Sequence, residues 1–244
     1  EDYIVFRLTG ARVSEKALAT STGWFQLSSD GYWAEMLDAA GINPAKLPEL
    51  LESGAVVPAG VLPDVRAELG LSEAVKVVTG AMDQTAGAIG AGNLSPGILT
   101  ETTGTALCLV ATLDQPDLNH PSRVTVYRHY LPNRYLMITI SMTAGMFLKW
   151  FKDQFCELES QQSEQAGRSV YALIDEMVAS TPPGANGLIA YPYLSGSLQP
   201  HANSAVRGVF FGAGLDSTKA HFLRAIFEGV ACMLRENMEL LEEG

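Results

Sequence analysis

The stretch Gly80-Ala81-Met82-Asp83-Gln84-Thr85-Ala86-Gly87-Ala88-Ile89-Gly90-Ala91-Gly92-Asn93 restricts the fold more than any other part of this chain. A valine-rich run, Val75–Val78, precedes it and predicts a buried strand over Val75–Thr79. Asp83 then opens a segment made almost wholly of Ala and Gly, and Thr85–Gly92 reads as a helix. Each interior glycine of a helix costs about 1 kcal/mol relative to alanine, a cost that points to close backbone approach. A hydroxyl- and glycine-rich turn, Glu101-Thr102-Thr103-Gly104-Thr105, follows shortly. A carboxylate at a strand end followed by such a turn suits phosphoryl transfer, where a protein contributes mainly positioning and charge placement. Asp83 also has a plainer reading as a helix N-cap, and capping and catalysis can coexist.

Upstream of this stretch, residues 3–8 read as a short helix or strand ending at Gly10. A polar loop with Ser14 and Thr20-Ser21-Thr22-Gly23 comes next, then an amphipathic helix over Trp33–Gly41 closed by glycine. Pro48–Gly60 reads as irregular, and Leu62–Leu69 as a short helix before Gly70. Asn93-Leu94-Ser95-Pro96-Gly97 is the best domain boundary, dividing 1–95 from 96–244. Beyond it, Ile98–Thr102 and Ala106–Ala111 read as strands around Gly104. Val124–Leu131 and Tyr135–Ser141 flank a Pro132-Asn133 hairpin turn. A helix over 143–156, a polar helix around 160–179, a strand over Leu188–Tyr193 and a long helix over 217–243 with a kink near Gly229 complete the chain. Strands followed by alternating helices and strands indicate an α/β fold.

The totals exclude several classes. The 244 residues carry a formal net charge of −11, which argues against a nucleic-acid surface. Cys108, Cys156 and Cys232 lie far apart, so neither a zinc site nor a disulfide framework is indicated, and a reduced cytoplasmic setting fits. The N-terminus lacks a signal-peptide layout, and no apolar run approaches membrane-spanning length. His120, His129, His201 and His221 show no metal-ligand spacing, so no metal-binding residues are expected.

Three motifs have both a functional and a structural reading. Thr103-Gly104-Thr105 can cradle phosphate oxygens or form an ordinary tight turn, and no Gly-Lys-Ser/Thr follows to make a P-loop. Gly145-Met146-Phe147-Leu148-Lys149-Trp150 opens a helix whose N-terminus can serve a nucleotide, or whose apolar face simply packs. Gly87-Ala88-Ile89-Gly90-Ala91-Gly92 runs in the reverse of the dinucleotide fingerprint, which makes a nicotinamide or flavin enzyme a poor alternative.

Taken together these residues resemble the middle of an FGGY-type carbohydrate kinase, closest to xylulokinases. Asp2–Gly10 is similar to the segment before the family's Asp-x-x-x-Ala-Ser loop. Gly80-Ala81-Met82-Asp83-Gln84 resembles the Gly-Gly-x-Asp-Gln/Asn motif of the catalytic aspartate, and Thr103-Gly104-Thr105 the second phosphate motif. Gly208–Gly212 and His221–Gly229 resemble the C-terminal signature. Ser195-Gly196-Ser197-Leu198-Gln199-Pro200 departs from the usual Gly-Glu-Arg-x-Pro, Ala106 replaces a serine, and Lys149 stands where some relatives carry Gln.

The resemblance implies two actin-like, ribonuclease-H-like domains, with this chain covering the end of the first and most of the second. It implies Asp83 as general base and Gln84 as a sugar contact. Thr103, Gly104 and Thr105 would lie by the ATP phosphates, Gly145 and Lys149 along the nucleotide, and Phe227 and Glu228 would be structural. The expected activity is phosphoryl transfer from ATP with Mg2+ to a sugar, most simply a ketopentose such as xylulose, by a cytoplasmic enzyme free of nucleic-acid and membrane partners and compatible with a homodimer. Because family members extend further at both ends, the chain reads as a fragment that would not turn over alone. Kinases for glycerol, ribulose or gluconate, and a non-catalytic sugar- or nucleotide-binding relative, stand as alternatives.

Overall fold

The computed structural model describes residues 1–115, 124–199 and 201–242, so His120 and Pro200 lie outside the described residues. The chain divides into two compact units, one chiefly Glu1–Thr100 and Thr125–Met137, the other chiefly Glu101–Leu109 and Ile138–Gly244.

The first unit begins with helix α1 (Asp2–Thr9), closed by Gly10 in the left-handed region. Strand β1 (Val13–Glu15), helix α2 (Lys16–Thr20) and the small hairpin β2 (Phe25–Gln26) and β3 (Gly31–Tyr32) occupy the stretch expected to be a polar loop. Helix α3 (Ala34–Ala39) falls where amphipathic spacing put it. Strand β4 (Glu49–Leu51) runs parallel to β1, pairing Ser14 with Leu50 within a segment expected to be irregular. Helix α4 (Pro63–Leu69) starts on a proline, whose missing N–H costs nothing in a first turn, and ends at Gly70. Helix α5 (Asp83–Gly90) follows. Val5, Val13, Val57, Val61 and Val77 form an apolar cluster in this unit.

The buried strand expected over Val75–Thr79 does not form. Val57 N–H reaches Val77 O at 2.8 Å and Thr79 N–H reaches Ala55 O at 2.9 Å, but only the Val56–Val78 bridge results. The partner segment turns at Gly54, Pro58 and Gly60, which limits the ladder to one rung and leaves Val75 and Val78 exposed. The α5 glycines also differ from expectation: a Cβ at Gly87 or Gly90 meets nothing within 4 Å.

Strands β5 (Leu99–Thr103), β6 (Leu107–Leu113), β7 (Thr125–Arg128) and β8 (Tyr135–Ser141) form a sheet in the spatial order β5-β6-β8-β7. The Pro132-Asn133 turn joins β7 to β8, with Asn133 at φ 56°. Beside it His129 is buried, its Nδ1 accepting the Leu131 N–H at 2.8 Å and its Nε2 lying 3.3 Å from Asn93 O. With both ring nitrogens committed in this way the neutral imidazole fits and the imidazolium does not. Burial holds its pKa below the usual histidine value.

The second unit continues with α6 (Gly145–Phe155), α7 (Glu157–Ala166) and α8 (Val170–Ser180). The single polar helix expected around 160–179 is therefore two. Gly167, at φ 62°, ends α7, and the Ser169 hydroxyl caps α8 by accepting the Tyr171 N–H. Strands β9 (Ile189–Tyr191) and β10 (Val209–Phe211) pair antiparallel, Phe210 opposite Ala190. Helix α9 (Lys219–Glu242) runs through Gly229 without interruption. That glycine serves close packing, since a Cβ there would stand 2.1 Å from Ala190 O. Phe147, Phe151, Ile174, Leu188, Leu223 and Ile226 lie in the core between these elements. Among the described residues no helix is long and apolar enough to cross a membrane.

Two outcomes follow. Gly229→Ala should lower stability by about 2 kcal/mol through overpacking, whereas Gly87→Ala should raise it by about 0.5 kcal/mol through helix propensity; thermal melts of the two variants check both signs. Because the folded state holds His129 with a lowered pKa, the unfolded chain binds its proton more readily. Stability should therefore fall as pH drops below about 6.5, and His129→Gln should flatten that part of a melting-temperature profile.

Candidate active site

In the first unit, Asp83 is the first residue of α5 and is exposed, with Gln84 half-buried beside it. Met82 is the N-cap, so Asp83 stands inside the first turn, where a carboxylate is favoured by the helix dipole. One of its oxygens, Oδ1, accepts the Gln84 N–H at 2.7 Å, and Oδ2 has no partner among the described residues.

The turn that carries Asp83 is fixed by groups from other segments. Gly54 N–H donates to Gly80 O at 3.1 Å. The buried Thr79 hydroxyl donates to Glu52 O at 2.8 Å and accepts the Ala55 N–H at 3.0 Å. Met82 N–H donates to Oε1 of Glu15 at 3.0 Å. Glu15, fully buried, also accepts the Ala17 and Leu18 N–H groups at the start of α2 and the Ser53 hydroxyl. Next to it, Lys16 and Arg128 meet Asp30 and Glu52, with Lys16 Nζ 2.6 Å from Asp30 and Arg128 Nε 2.8 Å from the same carboxylate. Reading the sequence as a polar loop missed Glu15. The available signal was an acidic residue directly before Lys16-Ala17-Leu18-Ala19, an N-cap position.

The second unit brings Thr103, Gly104, Thr105 and Gly145 together. Gly104 O accepts the Gly145 N–H at 2.9 Å, and Thr105 O accepts the N–H groups of Ala144 and Met146 at 3.0 and 3.3 Å. The first amides of α6 are thus closed by carbonyls of the preceding turn. At this end the exposed Thr105 and Thr103 remain rather than those amides, and the Thr103 hydroxyl already donates to the Glu101 carboxylate, which an anion would have to displace. Gly145 is required by the approach, because a Cβ there would stand 2.4 Å from Gly104 O. Thr103 and Gly145 also line an apolar recess of about 170 Å³ with Ala144, Leu148, Ile226, Phe227 and Val230. Lys149, one turn along α6, is paired with Asp153 at 2.5 Å. Hydrogen bonds from Lys149 and Lys152 hold the Asp153 carboxyl below its usual range. Glu228 is occupied by Arg224 and the Gly184 N–H.

Gly145→Ala should separate the Gly104 turn from α6 and cost about 1–3 kcal/mol. Faster hydrogen exchange at the residue 145 amide, alongside a lower melting temperature, is the expected signature.

Comparison with known proteins adds the family. Residues 1–90 match the N-terminal domain model, and residues 99–244 the C-terminal domain model, of the FGGY family of carbohydrate kinases. The chain is 33% identical over 243 residues to the xylulose kinase of Bacillus subtilis (strain 168), covering 100% of this chain and 46% of that protein. It is 28% identical over 231 residues to the gluconokinase of the same organism, covering 94% and 44%. The crystal structure of xylulose kinase from Rhodospirillum rubrum superposes with a TM-score of 0.84 at 28% identity, over 99% of this chain and 47% of that one. The chain thus spans about half the length of the relatives it matches.

Proposed function

We propose, since the chain belongs to the FGGY family of carbohydrate kinases and has its actin-like, ribonuclease-H-like fold, that the whole protein transfers the γ-phosphoryl group of ATP to a hydroxyl of a ketopentose such as xylulose. The observation that carries this reading is Asp83. It stands exposed at the first turn of a helix, with one oxygen held by the Gln84 amide and the other open to a substrate hydroxyl. Oδ2 would take the hydroxyl proton as the oxygen attacks phosphorus in line, and Gln84 would hold a neighbouring sugar hydroxyl. Thr103, Gly104 and Thr105 would lie along the phosphates, with Gly145 and Lys149 beyond them, and Lys149 would exchange Asp153 for the nucleotide.

Mg2+ would neutralise phosphate charge when bound. Among the described residues no group of three His, Cys, Asp or Glu side chains gathers to cage a metal. Mg2+ is usually carried by substrate phosphates and water with one or two protein carboxylates rather than by an all-protein cage. We place the domain boundary at 93–97, with closure about it excluding water, and the enzyme in the cytoplasm with its ATP. The gluconokinase relative favours a second reading, a sugar acid as acceptor.

The test is ADP release by the complete protein with MgATP against ketopentoses, polyols and sugar acids. One sugar should stimulate release, and Asp83→Asn should lower kcat by about 10²–10⁴-fold. Sugar-stimulated release that survives Asp83→Asn unchanged would remove Asp83 as the base.

A further inference from the structure

Glu15 is the buried group that this mechanism leaves without a task. Its carboxylate is fully enclosed and accepts four hydrogen bonds, two from the α2 amides, one from Ser53 and one from the Met82 amide 67 residues along the chain. The two α2 bonds and the Ser53 bond explain a local cap. The bond to Met82 does something else. Met82 is the N-cap of α5 and its side chain makes no capping bond. In a capping box, the amide of the N-cap residue is satisfied by a Glu or Gln three residues into the same helix. Here that third position is Thr85, whose buried hydroxyl has no partner among the described residues. Glu15 supplies the missing acceptor from another segment.

We propose that Glu15 is a positioning residue for the phosphoryl-transfer step, its Oε1 setting through the Met82 amide where α5 begins and hence where the Asp83 carboxylate stands. This rests on the reading of Asp83 as general base. The geometry supports it because Asp83 directly follows Met82 and is itself exposed, with a single hydrogen bond to its own helix. Apart from that bond, the location of Asp83 is set by the backbone of residues 80–83, which the Glu15 side chain grips at Met82 and the Gly54 N–H at Gly80. Replacing one carboxylate oxygen by an amide NH2 turns an acceptor into a donor that faces N–H or O–H groups, so Glu15→Gln cannot satisfy all four.

The experiment is a double-mutant cycle of Glu15→Gln and Asp83→Asn in the complete protein, reading kcat and the sugar KM with MgATP. Glu15→Gln should lower kcat about tenfold or more with the sugar KM changed by less than about threefold. In the Asp83→Asn background the same change should cost less than about twofold, because a residue that acts through Asp83 has nothing left to position. An equal loss in both backgrounds, or an unchanged kcat in Glu15→Gln, would overturn the proposal while leaving the base intact. Full activity in Asp83→Asn alone would instead overturn the base reading on which it stands. If Glu15→Gln does not fold, Met82→Pro enters the same cycle. It deletes the donor of this bond at a φ of −47°, close to the proline range, and Met82→Ala, which keeps the amide, is run beside it to account for the buried side chain that both changes remove.

Discussion

A buried carboxylate organises the first unit. Taking a carboxylate out of water costs several kcal/mol unless its oxygens are met by donors, and Glu15 meets four of them. The donors come from the start of α2, the loop after β4 and the turn before α5, so the bonds can all form only when these three segments converge. Its strands β1 to β4 are two or three residues long, and one of its apolar clusters is built of five buried valines. The neighbouring charges, Lys16 and Arg128 against Asp30 and Glu52, tie β3, β4 and β7 to the same place. Glu52 also joins them to the Asp83 turn through its carbonyl and the Thr79 hydroxyl.

The second unit is held differently. Its core is a continuous set of aromatic and aliphatic side chains from α6, α8, β9 and α9. Glycine lets main chain meet main chain at the places where this packing is tightest. Gly229 brings α9 against the Ala190 carbonyl, Gly212 approaches the Gly187 carbonyl, and Gly145 sits on the Gly104 carbonyl. The last of these bears on function, because it locks the hydroxyl-rich turn to the start of α6. The amides of residues 144–146 are already used, and what remains is the exposed Thr105 together with Thr103, whose hydroxyl is held by Glu101.

The helices were the most legible elements. α3, α4, α6 and α9 lie where spacing, and for α3 and α4 a following glycine, put them, because a helix is signalled by neighbours three and four residues apart, while α1 occupies a stretch that read as either helix or strand. Strands β1 to β4 were hidden, since two- and three-residue strands are too short to show alternation and depend on partners elsewhere in the chain, whereas β7 lies within the strand expected over Val124–Leu131. Val75–Thr79 failed in the opposite direction. Its composition favours a strand, but the facing segment bends at Gly54 and Pro58 and cannot extend a ladder. Gly167 and Ser169 in the 160–179 stretch were a legible stop and start that a single-helix reading passed over.

The candidate site divides along the same line. Local sequence determined that Asp83 opens a helix and that Thr103-Gly104-Thr105 forms a turn between two strands, because each depends on a few consecutive residues. It also carried the family, through motifs that keep residue type and spacing. Tertiary structure alone decided that Glu15 reaches the Met82 amide, that Gly145 closes on Gly104, and that His129 is buried against Asn93 as a neutral ring. Those contacts join residues 36 to 67 positions apart, where one-dimensional pattern carries no record of which donor will meet which acceptor; only the folded chain brings them within hydrogen-bond distance.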